Sequence, residues 1–164
     1  MSLVSAKHFW ELPADTLHGT CIVLDIDGTL VVASSAHAHP GVHETVQKLK
    51  QHNDVVLFSN NALDHSRNID LAAKLSIPYV ATWWRKPMPF VLRAVQNPKH
   101  LPVVIIGDLF LTDGLFALIT GSRFIRIARC VSPHESRLWW LLLYSLDDML
   151  MSSFGKFLFP VQKI

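Results

Sequence analysis

Three runs of consecutive apolar, mostly β-branched residues punctuate this chain, at 21–24 (CIVL), 55–57 (VVL) and 103–106 (VVII). An apolar run without alternation describes a strand buried on both faces, and such strands belong to parallel sheets covered by helices. The intervening segments carry the matching helical signals. Residues 41–52 place Val42, Val46 and Leu49 on one face, and 64–75 reads as a helix capped by Asp64 and stopped before Pro78. In chain order the spacing predicts strands at 20–25, 54–58, 79–82, 103–106 and 123–128, the last lying nearer the sheet edge. It predicts helices at 87–95, with Pro87 in the first turn, at 112–119, capped by Thr112, and at 135–150. Strand and helix in alternation give an α/β fold with a mainly parallel central sheet. The expected organisation is a single domain over 1–164, with a core at about 20–130 and a C-terminal helical segment at about 134–160.

Composition narrows the classes of partner. Half of the 164 residues are hydrophobic, enough for a sizeable core. Fifteen Lys and Arg against thirteen Asp and Glu leave a net charge of +2, too balanced for a nucleic-acid surface. Cys21 and Cys130 are far apart and read best as reduced thiols. Residues 1–13 show neither a signal-peptide pattern nor an Arg-rich transit pattern. The apolar stretch 138–146 ends at Asp147-Asp148, well short of the ~20 residues that span a bilayer. The expectation is a soluble, cytoplasmic protein without a transmembrane segment.

Ligands of open parallel sheets bind beyond the carboxyl ends of the strands, and the polar residues of this chain gather there. Asp25 and Asp27 end the first strand one residue apart, so both side chains can point to one side. Alone, Asp25-Ile26-Asp27-Gly28 could equally be a tight turn or part of a calcium loop. Ser59-Asn60 end the next strand, Lys86 precedes a helix, and Asp108 and Asp113 follow VVII. Acid, hydroxyl, ammonium and acid at four successive strand–helix junctions form a constellation that a turn does not explain.

In that order, Asp25-Ile26-Asp27-Gly28-Thr29, Ser59-Asn60, Lys86-Pro87 and Gly107-Asp108 with Asp113 resemble the four motifs of haloacid-dehalogenase-like phosphatases. The resemblance implies a Rossmann-like three-layer sandwich and a Mg²⁺-dependent phosphatase that works through an aspartyl-phosphate. It makes Asp25 the nucleophile, Asp27 the acid and base, and Lys86 the countercharge for the transition state. Mg²⁺ would be held by Asp25, the Asp27 carbonyl and Asp108, with Asp113 behind, acting through water or Lys86. Ser59 and the Asn60 amide would hydrogen-bond the phosphoryl oxygens, and Thr29 would orient the first loop. Asp113 also has a purely structural use, as an acid at a helix start.

Two gaps bear on substrate. Eleven residues at 30–40, and one helix with a short strand between Ser59 and Lys86, leave no room for a cap domain. The site is therefore expected to be open, or covered by a second subunit in a homo-oligomer. Asn61, Ile77-Pro78, Arg85 and Thr112 extend the resemblance to the capless subfamily IIIA, which includes phosphatidylglycerophosphate phosphatases. Gly28 departs from that branch, which often has Asn there. The implied partner is a phosphorylated substrate, with a phospholipid headgroup the leading candidate. A phosphoprotein, a small metabolite or a non-catalytic binding role are the alternatives. The segment 137–144 (RLWWLLLY) fits core packing better than peripheral membrane contact, because little positive charge accompanies it. His37, His39 and His43 lie close enough in sequence for a metal, but solvated or substrate-contacting roles fit better than zinc. Trp83-Trp84 stand before Arg85-Lys86, where packing and the site mouth compete.

Overall fold

Along the first apolar run, Ile22 and Leu24 enter one hydrophobic cluster while Cys21 and Val23 enter another. This is the period-two alternation of a strand whose two faces are both covered. The computed structural model describes residues 3–6, 8–32, 35, 37–61, 65–131 and 138–155. Five strands, β1 (Leu3–Ala6), β2 (Cys21–Leu24), β3 (Asp54–Leu57), β4 (Val103–Gly107) and β5 (Arg123–Ile127), form one sheet in the order β1-β5-β4-β2-β3. Every neighbouring pair is parallel. β2 lies inside the sheet, between β4 and β3. Its chain neighbours β3 and β4 pair on opposite sides of it, so the direction of winding reverses there and opens a crevice beyond its carboxyl end.

The helices α1 (Pro40–Lys50) and α2 (His65–Leu75) cover one face. Val42, Val46 and Leu49 from α1 and Leu71, Ala72 and Leu75 from α2 pack there against Ile22, Leu24 and Ile106. The other face is covered by α3 (Val91–Ala94), α4 (Leu115–Thr120) and Met151, which follows α5 (Leu138–Leu150). The result is the α/β sandwich expected from the sequence. The segments on either side of β3 add no further domain among the described residues. Leu150 and Met151 pack on the core, whereas Leu141, Leu142, Leu146 and Met149 are exposed. No helix among the described residues is long and apolar enough to cross a membrane.

Several local expectations are corrected. β1 was not foreseen, and by pairing outside β5 it moves that strand in from the edge. The strand expected at 79–82 shrinks to one bridge, Leu57 with Tyr79, because β3 itself ends at Leu57. The helix expected at 87–95 is only Val91–Ala94. Pro87 and Pro89 have no N–H to give and disfavour helical backbone at Lys86 and Met88. The Asn60 side chain also binds both main-chain groups of Lys86. Thr112 does not cap a helix; it lies inside a π-helical turn, Phe110–Gly114, and its hydroxyl donates to Asp113 at 3.2 Å. Asp64 and residues 132–137 lie outside the described residues.

Asn53 ties the base of this sheet together. Its amide nitrogen donates to the Leu17 and Leu49 carbonyls at 2.7 and 2.9 Å, and its oxygen accepts from the Thr20 N–H and hydroxyl at 3.1 and 2.8 Å. The side chain is buried, so its removal strands several polar groups at once. Asn53→Ala is expected to lower stability by about 2–3 kcal/mol in urea unfolding. A loss under about 0.5 kcal/mol would show that water replaces the amide without cost.

Candidate active site

The last main-chain bonds of the sheet deliver the first acid. Asp25 N donates to Ile106 O at 2.9 Å, and Phe58 N donates to Leu24 O at 2.9 Å. Asp25, Ser59 and Asp108 thus leave three adjacent strands at one level. Asp25, Ser59, Lys86, Asp108 and Asp113 are all buried, and Thr29 is fully so. Asp27 is half-buried, on the turn that Gly28 N closes by donating to Val31 O at 2.8 Å.

Lys86 is the hub. Its ammonium donates to Asp25 Oδ1 and to Asp113 Oδ1, each at 2.5 Å. Burial works against its charge, but Asp113 and Asp25 outweigh burial and hold the ammonium above its ordinary range. Asp25 is pushed well above the usual carboxylate range, first by burial and then by Asp113 and Asp108, with Lys86 opposing. Asp108 rises to about 6 for the same first reason, with Asp113 adding and Arg129 opposing. Carboxylate oxygens of Asp25, Asp108 and Asp113 lie within 4.8 Å of one another, and this is the group with metal-ligating capacity among the described residues. Three buried acids this close repel each other until a cation intervenes.

The other residues singled out from the sequence converge on the same place. Thr29 Oγ1 lies 3.4 Å from both Asp25 Oδ2 and Asp108 Oδ1, and its single proton serves one at a time. Ser59 Oγ is 3.3 Å from Asp27 Oδ2 and accepts from Asn61 N at 3.0 Å. Asn60 is present with a different use of its side chain: Oδ1 accepts from Lys86 N at 2.8 Å and Nδ2 donates to Lys86 O at 2.9 Å. That pair of bonds aims the lysine. Gly28 has φ +80°, and a Cβ there would stand 2.7 Å from Asp108 Oδ2. The approach of that carboxylate, beyond the left-handed backbone, explains glycine where asparagine is common in the resembled branch.

Two arginines escaped the sequence reading. Arg67, on α2, donates to Asp27 Oδ2 at 2.8 Å. Arg129, just beyond β5, donates through Nε to Asp108 Oδ2 at 2.7 Å. Arg129 follows a strand end and could have been suspected from that position, while Arg67 has no motif around it. Of the histidines singled out from the sequence, His39 caps α1: its Nδ1 accepts from Gly41 N at 3.2 Å, and its ring stacks on Trp10 at 4.2 Å. Trp83 is almost wholly exposed, and Trp84 packs on Phe90 at 4.9 Å. Cys21 and Cys130 are both free thiols.

A buried lysine bridging two acids, with a third acid beside them and a serine at the neighbouring strand end, is an arrangement suited to receiving a phosphoryl group. Comparison with known families agrees with that chemistry. Residues 4–132 match the family model described as mitochondrial PGP phosphatase, where PGP is phosphatidylglycerophosphate. No curated protein and no solved structure matches the chain. The match takes in every strand of the sheet and every acid around Lys86, so the chain belongs to the PGP phosphatase family and is a phosphomonoester hydrolase.

Proposed function

We propose that this phosphatase transfers the phosphoryl group of phosphatidylglycerophosphate to Asp25 and then to water, with Mg²⁺ as cofactor. The observation that carries the reading is the Lys86 bridge between Asp25 and Asp113 with Asp108 alongside. An ionised carboxylate needs no base to become a nucleophile. An oxygen of Asp25 attacks phosphorus as the bond to the leaving alcohol breaks. Asp27 supplies that alcohol with its proton. Water then attacks the phosphorus of the aspartyl-phosphate, Asp27 takes up the proton, and the Asp25 carboxylate is restored with release of phosphate. Lys86 offsets the charge that gathers as the bonds exchange, and Ser59 with the Asn60 main-chain amide receives phosphoryl oxygens.

The acids fit a hard divalent ion. The carboxylates of Asp25, Asp108 and Asp113 are buried and closely grouped, and oxygen is the donor type that Mg²⁺ takes. Asp25, Asp108 and the Asp27 carbonyl would hold it, and Asp113 stands behind, joined to Asp25 through Lys86. Bound there, Mg²⁺ supplies the countercharge that lets a phosphate dianion approach a carboxylate.

The choice of a lipid rests on the family's described substrate and on the absence of a covering domain among the described residues. Exposed Leu141, Leu142, Leu146 and Met149 on α5 suit peripheral contact with the surface that bears such a substrate. For location we propose this lipid-surface contact in place of simple cytoplasmic residence.

Asp25→Asn is expected to cut Mg²⁺-supported hydrolysis of an aryl phosphate by about a thousandfold or more. Full activity in that variant would remove Asp25 as nucleophile. In kcat/KM, which reports only the steps through aspartyl-phosphate formation, Asp27→Asn should cost about 10²–10⁴-fold on an alkyl phosphate and much less on an aryl phosphate, whose leaving group needs no proton. Equal losses on both substrates would contradict the acid role. Across phosphatidylglycerophosphate, sugar phosphates, nucleotides and phosphopeptides at matched concentration, the lipid should give the highest kcat/KM. A flat profile would overturn the substrate assignment and leave the phosphatase assignment standing.

A further inference from the structure

Whereas its neighbour Asp148 is exposed, Asp147 on α5 is a fully buried acid, beyond the residues that match the family model. Burial of a carboxylate is costly without partners, and its partners here all belong to the Asp108 region. Oδ1 accepts from Leu111 N at 2.7 Å, and Oδ2 accepts from Phe110 N at 3.1 Å. Those N–H groups open the π-helical turn Phe110–Gly114, which follows Asp108 and contains Asp113. Oδ2 also takes the Arg126 guanidinium at 3.1 Å and lies 3.6 Å from that of Arg129.

The same two arginines hold Asp108. Arg126 Nε donates to the Asp108 carbonyl at 3.2 Å, and Arg129 Nε donates to Asp108 Oδ2 at 2.7 Å. One turn before Asp147 on α5, the Tyr144 ring lies 3.9 Å from the Arg129 guanidinium carbon. α5 therefore meets Arg129 from two positions, Tyr144 and Asp147, and Asp147 also holds the main chain after Asp108. With Arg129 on Oδ2, the other oxygen of Asp108, Oδ1, is the one turned toward Thr29.

We propose that Asp147 is a positioning residue for the metal site, orienting the Asp108 carboxylate through Arg129 and the Phe110–Leu111 main chain. The inference rests on the reading of Asp108 as a Mg²⁺ ligand. It extends the functional unit past the matched region, into α5, whose exposed residues include Leu141, Leu142, Leu146 and Met149. Acids and bases that orient a metal ligand commonly change metal affinity by about 10–100-fold when replaced.

The test is Mg²⁺ binding to the protein without substrate, followed by calorimetry, for wild type, Asp147→Asn, Asp147→Ala and, as an exposed acid on α1 paired with Lys48, Glu44→Gln. Thermal melting reports the fold in parallel. The expected result is Mg²⁺ affinity weakened by about tenfold or more in Asp147→Ala, by less in Asp147→Asn, and by under about twofold in Glu44→Gln. In an Arg129→Lys background, Asp147→Asn should add little further loss, because both act on one carboxylate. Unchanged affinity in folded Asp147 variants, equal losses in the Glu44 control, or failure of both Asp147 variants to fold would overturn the positioning role. A wild-type protein that binds no Mg²⁺ would instead overturn the cofactor assignment made above.

Discussion

The buried ammonium of Lys86 is the interaction on which the site depends. Asp25, Asp108 and Asp113 reach one small volume at the end of a parallel sheet, and without a cation their repulsion would oppose folding. Lys86 answers two of them directly and Arg129 answers the third. Removing one partner of such a buried pair leaves an uncompensated charge, at a cost of about 3–5 kcal/mol. The backbone is shaped around this demand. Gly107 has no side chain because a Cβ would lie 2.3 Å from Asp113 Cγ. Asn60 fixes the main chain of Lys86, so the lysine arrives from a loop with the accuracy of a regular element.

The elements legible in the sequence were those with a periodic signal. CIVL, VVL and VVII announced strands because no polar residue interrupts them, and the Val42, Val46, Leu49 spacing announced α1. The acids, Ser59 and Lys86 were legible through their order and their places at strand ends. What remained hidden depends on contacts distant in the chain. Arg67 and Asp27 are forty residues apart, and Asp147 caps a turn that begins thirty-seven residues before it. No local pattern records such pairs. Thr112 illustrates the opposite error: its position promised a cap by propensity, but the cap came from α5. At 87–95, two prolines and the Asn60 clamp overrode an apolar spacing that reads as helix.

In the mechanism proposed above, the acids, Ser59 and Lys86 would handle the phosphoryl end of a substrate, and that end is common to every phosphomonoester. Selectivity must come from groups that meet the rest of the molecule. The half-buried Asp27, tied to Arg67 and Ser59, stands between those two regions. It shares the turn with Gly28, whose carbonyl accepts from Cys130 N at 2.7 Å. The residues that follow β5 therefore touch both the Asp25–Thr29 turn and Asp108, tying the two together.

The sheet has two edges, and each is short. β1 and β3 are four residues long. On the β3 side, Pro78 and Val80 already bond to the Leu57 main chain, so part of that edge is closed. On the other side, the β1 edge offers at most a few unsatisfied groups to an incoming strand. Exposed strand edges are the templates for edge-to-edge association and aggregation. A chain half composed of hydrophobic residues thus keeps 21–24 and 103–106 inside the sheet, and leaves 55–57 on a short edge whose Leu57 main chain is already bonded.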